Sequence, residues 1–216
     1  MKALLFDLDN TLYPAECDLF SLIDVRINRY MEDIVAIEPA DVDTLRRRYW
    51  RDYGATLQGL IRHHDIDPED YLDYVHAVDV GSRLSVDREL QAMLSHVAIP
   101  SYIFSNGSRC HVDRVVSALG LDGLFADVFD IRIADYQPKP NPDPYRQVLE
   151  SLELSGEECI MVEDQPQNLQ MAKQFGMKTV LVGPPQSVQQ QPDYVDVCLV
   201  RPADIGTVLD TWLEGH

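Results

Sequence analysis

The chain begins with a short apolar run that ends abruptly in two carboxylates. Residues 3–6 (ALLF) are all apolar, and Asp7 and Asp9 follow with one residue between them. A continuous apolar run of this length is typical of a strand buried on both faces of a parallel sheet. Aspartate is a poor strand residue, so we predict that the strand stops here. Ligands bind at the carboxyl ends of strands in open α/β sheets, which makes Asp7 and Asp9 candidate site residues.

The second half of the chain alternates between strand and helix patterns. Strands are predicted at 99–104, within 125–133, at 158–162 and at 178–182, and helices at 87–96, 108–119, 143–152, 166–175 and after Ala203. This alternation implies an α/β fold, in which a parallel sheet carries helices on both faces. Four alternate prolines predict an extended, stiff segment at 137–144, and Gln186–Gln191 is predicted to be a polar surface loop.

A segment without a clear strand pattern lies between the first strand and these units. Apolar residues from Phe20 to Ile34 follow helical spacing, and further helices are predicted from Pro39 and after Asp67. The helix predicted from Pro39 is expected to carry one apolar stripe, made of Leu45, Tyr49, Tyr53 and Leu57. We therefore predict an inserted helical domain at residues 14–82 and a core domain formed by 1–13 and 83–216.

Polar side chains occur at four points where predicted strands or their connections end. They are Asp7 with Asp9, Ser105 with Asn106, Lys139, and Glu163 with Asp164. Each alone has a structural explanation, because serines often cap helices, loop lysines are usually solvated and acidic pairs often form turns. A parallel sheet brings the carboxyl ends of its strands to one edge, so the four points together predict a single site.

The residue types in this set suit phosphoryl transfer. Asp7, Glu163 and Asp164 offer the oxygen ligands that Mg²⁺ prefers. One carboxylate can attack phosphorus to form an aspartyl-phosphate, while a second protonates the leaving oxygen and later deprotonates water. Ser105 and Lys139 can hold phosphoryl oxygens. Such reactions depend mainly on positioning and charge neutralisation, which these groups supply.

Four segments resemble, in order, the four motifs of the haloacid dehalogenase (HAD) superfamily. They are Asp7–Leu12, Ser105–Gly107, Lys139-Pro140 and Glu163-Asp164. The resemblance implies a Rossmann-like parallel sheet. It also implies that the helical insert is a C1 cap, the lid that selects the substrate.

The resemblance implies a role for each matching residue. Asp7 would be the nucleophile, and Asp9 the general acid and base. Ser105 and Asn106 would bind phosphate. Lys139 would be a catalytic residue that bridges the phosphoryl group and Asp7.

The resemblance further implies a bound Mg²⁺, held by Asp7, the backbone carbonyl of Asp9, and Asp164. Many relatives have a second aspartate where this chain has Glu163, and other relatives carry an acid where it has Asn168. Both residues are therefore expected to support the metal ligands through hydrogen bonds rather than to bind the metal.

Asp9 favours a phosphatase within this superfamily. True haloacid dehalogenases resemble the phosphatases at the nucleophile but lack the second aspartate, since a halide leaving group needs no proton. A phosphomutase stays open because it uses the same two aspartates. The alternative outside the enzymes is a non-catalytic binding protein that has kept the fold, although the intact motif residues weigh against it.

The insert offers a narrower clue to the substrate. Residues 49–60, with His64, Tyr71 and His76, are similar to the cap of pyrimidine 5'-nucleotidase-like members. Tyr49, Tyr53 and Arg46 are therefore candidate substrate residues, and a nucleoside 5'-monophosphate, preferably a pyrimidine one, is the expected substrate. A tyrosine stripe at helical spacing is also typical of internal packing, so other small phosphomonoesters, of the phosphoglycolate or sugar-phosphate type, stay open.

Composition limits the classes of binding partner and the cellular location that we expect. The net charge of −18 disfavours binding to nucleic acid polymers or to anionic membranes. Four scattered cysteines without a CxxC pair suggest reduced thiols, and no run reaches membrane-spanning length, so a cytoplasmic location is expected. The Arg46-Arg47-Arg48 run is compatible with guiding anions to the cleft or with a solvated helix face. The remaining histidines show no metal-binding spacing.

Overall fold

The structure is a computed structural model that describes residues 1–184 and 191–214. Its strands are β1 (Ala3–Phe6), β2 (Ser101–Phe104), β3 (Asp127–Phe129), β4 (Cys159–Glu163), β5 (Lys178–Val182) and β6 (Val197–Leu199). They form one parallel sheet in the order β3-β2-β1-β4-β5-β6. The first strand therefore lies at the centre, between the strands that end near Ser105 and Glu163.

Helices account for most of the remaining described chain. They are α1 (Leu19–Arg29), α2 (Pro39–Tyr53), α3 (Thr56–His64), α4 (Pro68–Val75), α5 (Arg88–His96), α6 (Arg109–Leu119), α7 (Pro142–Leu152), α8 (Pro166–Gln174) and α9 (Ile205–Glu214). The α5, α6 and α9 helices pack on one face of the sheet, and α7 and α8 pack on the other.

Strand β1 shows why the sheet is buried on both faces. Leu4 and Phe6 belong to one apolar cluster, whereas Ala3 and Leu5 belong to the cluster on the opposite face. All four side chains are fully buried. Successive strand residues point to opposite faces, so an uninterrupted apolar run is required here. The prediction of a parallel α/β sheet with helices on both faces is confirmed.

Some predicted boundaries move for identifiable reasons. Strand β2 begins at Ser101 rather than at 99, because Pro100 has no N–H to donate to a ladder. The proline-rich segment is not wholly extended: Asn141 donates its backbone N–H to the Pro138 carbonyl at 2.9 Å in a turn, and α7 starts at Pro142. Strand β6 was not predicted, since its three residues carry little pattern.

The segment inserted between β1 and β2 contains α1 to α4, which share an apolar cluster of their own. The predicted single stripe is wrong: Gly54 ends α2 at a φ of 83°, and Leu57 belongs to the separate helix α3. After α1 the chain forms a π-helical turn at Tyr30–Ile34, and this wider turn leaves Ile34 48% exposed. The division of the chain into an insert and a core domain stays a prediction.

The predicted polar loop lies, apart from Gln191, outside the described residues. The cysteines at 17, 110, 159 and 198 form no disulfide. Among the helices that the structure describes, none combines the length and hydropathy needed to cross a bilayer.

Candidate active site

Lys139 lies at the centre of the carboxyl edge of the sheet. Its ammonium donates hydrogen bonds to Asp7 Oδ1 at 2.8 Å, to Glu163 Oε2 at 2.8 Å and to the Phe104 carbonyl at 2.7 Å. An ammonium has three N–H donors, so all of them are satisfied. Only 1% of Lys139 is exposed. The structure thus brings together polar groups from β1, β2 and β4 around one buried cation.

Burial and charge shift the pKa values of this group in a consistent way. Burial, with the neighbouring Glu163 charge, raises the pKa of Asp7 to about 7, although Lys139 opposes this shift. Burial also raises the pKa of Glu163 to about 7. The charge of Lys139 is disfavoured by burial, but the two carboxylates outweigh that effect and raise its pKa. The single positive charge of Lys139 therefore compensates the negative charges of both Asp7 and Glu163.

Three carboxylates form a cluster suited to a cation. Oxygen atoms of Asp7, Glu163 and Asp164 lie within 4.8 Å of one another. Glu163 already accepts from Lys139 and, through Oε1, from the Gln165 backbone N–H at 3.2 Å. Burial and the charge of Asp7 raise the pKa of Asp164. A divalent cation would relieve this crowding of negative charge, and within the described chain Asp164 is the member of the cluster without an ion pair to Lys139.

The neighbouring polar residues hold this cluster in place. Thr11 donates its hydroxyl to Asp7 Oδ2 at 3.1 Å. Asn168 is 7% exposed, and its carbonyl accepts from the buried Tyr145 hydroxyl at 2.8 Å. Its side chain lines the cavity described below. These contacts limit the rotation of Asp7 and keep Asn168 near the acidic cluster.

Asp9 lies in a different environment from Asp7. Its Oδ1 accepts from the Tyr13 hydroxyl at 2.5 Å and from His111 Nε2 at 2.8 Å. Burial alone would raise the pKa of Asp9, but the His111 imidazole and these hydrogen bonds lower it to about 2. The neighbouring His76 ring stacks on His111 with 4.6 Å between centroids. The two aspartates of one strand end therefore have opposite shifts in pKa.

The predicted phosphate-binding residues divide into two kinds. Ser105 is 2% exposed, and its Oγ accepts from the Gly107 backbone N–H at 2.9 Å. Asn106 instead binds the loop that carries Lys139: its Oδ1 accepts from the Lys139 N–H at 2.8 Å, and its Nδ2 donates to the Lys139 carbonyl at 3.1 Å. Ser105 faces the cavity with its hydroxyl, whereas Asn106 fixes the backbone of the lysine.

A cavity of about 660 Å³ separates the sheet edge from the helical insert. Its floor includes Asp7, Asp9, Ser105, Asn106, Asp164 and Asn168. Its opposite wall includes Ile23, Ile27, Arg46, Arg47, Trp50 and Tyr71. This volume suits a small-molecule ligand.

The three substrate candidates in the insert do not share one location. Tyr49 is buried, and its hydroxyl is hydrogen-bonded to His64 Nε2 at 2.9 Å. The Tyr53 hydroxyl is hydrogen-bonded to His63 Nε2 at 2.8 Å. Only Arg46 is among the residues that line the cavity, and its guanidinium is bound to Asp24 and to Asn28.

Several residues of the site were not predicted. Trp50, 59% exposed, lies at the cavity wall, one helical turn from Arg47 on α2. Arg47 belongs to the arginine run for which a role in guiding anions to the cleft stays open. Tyr13 and His111 contact Asp9 from positions four and 102 residues away in sequence. The proximity of Tyr13 to the motif aspartates was a usable signal, because residues four apart in a turn can meet. No local pattern in the sequence indicates that His111 contacts Asp9.

These features define a class of protein: an α/β enzyme with clustered carboxylates and a buried lysine at the carboxyl edge of a parallel sheet. A family model described as haloacid dehalogenase-like hydrolase matches residues 1–176, so the chain belongs to that hydrolase family. The superfamily resemblance is thereby confirmed.

The chain is similar to several known proteins. Phosphate metabolism protein 8 of Saccharomyces cerevisiae is 25% identical over 197 residues, which cover 83% of this chain but only 61% of the yeast protein. Phosphoglycolate phosphatase of Pectobacterium atrosepticum is 26% identical over 196 residues, 83% of this chain and 79% of that one. The HAD hydrolase YfnB of Bacillus subtilis, solved bound to magnesium, aligns with a TM-score of 0.64 at 17% identity, over 97% of this chain and 98% of that chain. That likeness shows the fold.

Proposed function

We propose that this hydrolase is a Mg²⁺-dependent phosphomonoesterase that works through an aspartyl-phosphate on Asp7. The observation that carries the proposal is the buried Lys139 ammonium, which contacts the carboxylate of Asp7 at 2.8 Å beside a cavity of small-molecule size. The phosphatase name of the Pectobacterium relative supports the same reaction class.

The acidic cluster fits a hard divalent cation. Its donors are all carboxylate oxygens, and their mutual repulsion is incompletely compensated by one lysine. We propose that Asp7, the Asp9 carbonyl and Asp164 hold Mg²⁺, with Glu163 and Asn168 supporting them. The bound ion supplies charge neutralisation for the phosphoryl group.

The proposed reaction has two steps on the residues of this chain. Asp7 attacks phosphorus, the bond to the ester oxygen breaks, and Asp9 gives a proton to the leaving alkoxide. Asp9 then removes a proton from water, which attacks the aspartyl-phosphate and releases inorganic phosphate and Asp7. Asp9 has a low pKa before substrate binds, and an incoming phosphate dianion raises it, so proton uptake accompanies binding. Ser105 and Lys139 orient the phosphoryl oxygens.

The helical insert is proposed to act as a cap, residues 14–82, over a core of 1–13 and 83–216. The preferred substrate is a nucleoside 5'-monophosphate, with pyrimidines favoured. Trp50 and Arg47 at the cavity wall support this substrate, because an aromatic face and a guanidinium suit a planar base with polar edges. A cytoplasmic location is proposed from the scattered spacing of the cysteines, which contains no CxxC pair.

A second candidate is a phosphatase of a smaller metabolite, such as phosphoglycolate or a sugar phosphate. The name of the Pectobacterium relative favours it, and Arg46 and Arg47 could bind a second anionic group. Hydrolysis rates for a panel of pyrimidine and purine monophosphates, phosphoglycolate and hexose phosphates separate the two candidates. Net transfer of phosphate within a sugar would instead indicate a mutase. Release of halide from a 2-haloacid would indicate a dehalogenase.

The Asp7→Asn variant tests the proposed nucleophile. An amide cannot attack phosphorus, so kcat for p-nitrophenyl phosphate with Mg²⁺ is expected to fall by about 10³-fold or more. The matched control is Asp122→Asn at an exposed position outside the site, which should keep wild-type kcat. Circular dichroism checks that both variants fold.

Three outcomes contradict the proposed function. They are a wild-type protein that does not release p-nitrophenolate, turnover unchanged by a chelator, and an Asp7→Asn variant with wild-type kcat. The first of these would favour a non-catalytic binding protein with this fold.

A further inference from the structure

The two carboxylate oxygens of Asp9 have unequal surroundings. Oδ1 accepts both the Tyr13 hydroxyl at 2.5 Å and His111 Nε2 at 2.8 Å. Within the part of the chain that the structure describes, no hydrogen bond reaches Oδ2. A carboxylate can only accept, so His111 carries its proton on Nε2 in this contact.

The unpartnered oxygen faces the place where a phosphoryl group would bind. A Cβ added to Gly107 would lie 3.2 Å from Ser105 Oγ and 3.8 Å from Asp9 Oδ2. Both oxygens therefore border the same small space beside the Gly107 backbone, and all three residues line the cavity. Oδ1 points to buried partners, because Tyr13 is 1% exposed and His111 is fully buried.

We propose that Tyr13 and His111 are positioning residues that hold Oδ1 of Asp9, so that Oδ2 is the oxygen that exchanges the proton. The terminal torsion of an aspartate is broad, so a single hydrogen bond leaves the carboxylate plane free to turn. Two donors from different elements fix the plane of the carboxylate. This inference rests on the proposed function, in which Asp9 acts first as acid and then as base.

The helical insert contributes the support for His111. The His76 ring, at the end of α4, stacks on the His111 ring with 14° between the planes. His76 Nδ1 is hydrogen-bonded to Ser108 Oγ at 2.9 Å. His111 Nδ1 is buried and has no hydrogen-bond partner among the described residues, so the bond to Asp9 is the one hydrogen bond of this ring there. A buried polar atom left unsatisfied is costly, which suggests that the ring is kept for its contact with Asp9.

The experiment compares variants that remove a donor with variants that keep one. Tyr13→Phe deletes only a hydroxyl, His111→Leu deletes the donor, and His111→Gln keeps an N–H near the same position. The matched control is Tyr30→Phe, which removes a phenol–carboxylate hydrogen bond of 3.0 Å to Asp70 in the insert, without touching Asp9. Each protein is mixed rapidly with p-nitrophenyl phosphate and Mg²⁺, and p-nitrophenolate release is followed from the first turnover.

Departure of p-nitrophenolate needs no acid, but hydrolysis of the aspartyl-phosphate needs Asp9 as base. Tyr13→Phe and His111→Leu are therefore expected to show a burst of product, approaching one per active site. A steady rate with kcat about 10- to 100-fold below wild type, and a KM that is not raised, should follow. His111→Gln should recover much of kcat, and Tyr30→Phe should match the wild type.

The proposal is overturned if Tyr13→Phe keeps wild-type kcat, or if it loses activity without a burst. The second result is what a merely structural role predicts, since a smaller folded fraction lowers all steps equally. If His111→Leu does not fold, Tyr13→Phe and His111→Gln still decide the question. A wild-type protein inactive towards p-nitrophenyl phosphate would refute the proposed function itself, which is a separate result.

Discussion

At the scale of single residues, one glycine is required by the close approach of two backbone segments. Gly156 lies in the short turn before β4, where an added Cβ would sit 1.8 Å from the Phe175 carbonyl oxygen and 3.4 Å from the Met177 nitrogen. The atoms it would meet belong to the backbone, which cannot rotate aside as a flexible side chain can. The turn before β4 and the end of α8 approach each other only because no side chain intervenes.

The Gly156→Ala substitution is therefore expected to destabilise the fold by about 1–3 kcal/mol, the usual cost of overpacking. The measurement is the free energy of unfolding from urea titration. The matched control is Gly81→Ala, where the added Cβ would meet only Asp79 Oδ1 at 3.6 Å, with nothing closer. Equal stability of the two variants would show that the backbone at Gly156 can separate without cost.

At the scale of elements, the outer strands depend on one acidic side chain. Asp196 precedes β6, and both of its carboxylate oxygens accept hydrogen bonds from the Lys173 ammonium, at 2.6 and 2.8 Å. It also accepts the Thr179 backbone N–H at 2.8 Å. These bonds join α8, β5 and β6. The sequence analysis did not predict β6, because its three residues carry little pattern and the contacts of the adjacent Asp196 come from residues 17 and 23 positions earlier.

Asp196 makes stability depend on pH. Burial alone would raise its pKa, but Lys173 and the Thr179 backbone lower it below its ordinary value. A group with a lowered pKa stabilises the fold above the unfolded-state pKa, and this stability is lost as pH falls through the folded-state pKa. Asp196→Asn is expected to cost about 1–3 kcal/mol at pH 7. The difference from wild type should shrink as pH falls below about 4.

Urea titrations of both proteins at several pH values measure this difference. The matched control is Asp193→Asn, which is close in sequence, whereas the ion pair of Lys173 is with Asp196. A difference that stays constant between neutral and acidic pH would mean that the charge of Asp196 contributes nothing.

At the scale of the whole molecule, charge is unevenly compensated. The chain has 36 acidic and 18 basic residues, and three of these acids are clustered in the site beside a single lysine. Most described ion pairs are exposed, and such pairs contribute little to stability. The long-range repulsion among acidic groups therefore opposes the compact state.

Monovalent salt is expected to raise the melting temperature by a few degrees between low ionic strength and about 0.15 M, where the screening length is about 8 Å. A chelator is included so that bound divalent ions do not contribute. Sodium and potassium chloride should act alike, since the effect is screening. A melting temperature that falls with salt would mean that attractive pairs outweigh the net repulsion.

The sequence by itself determined the α/β class, the central strand and the residues at the strand ends. Those features are local: apolar runs define buried strands, and polar residues at their ends meet because parallel strands share one edge. Side-chain pairings that the shared strand edge does not impose could not be predicted. Only the tertiary structure decided that Asn106 binds the Lys139 backbone, that Tyr49 packs inside the insert while Trp50 lines the cavity, and that His111 contacts Asp9. The physical reason is that a hydrogen bond or an apolar contact depends on which faces are turned together, and no local pattern contains that information.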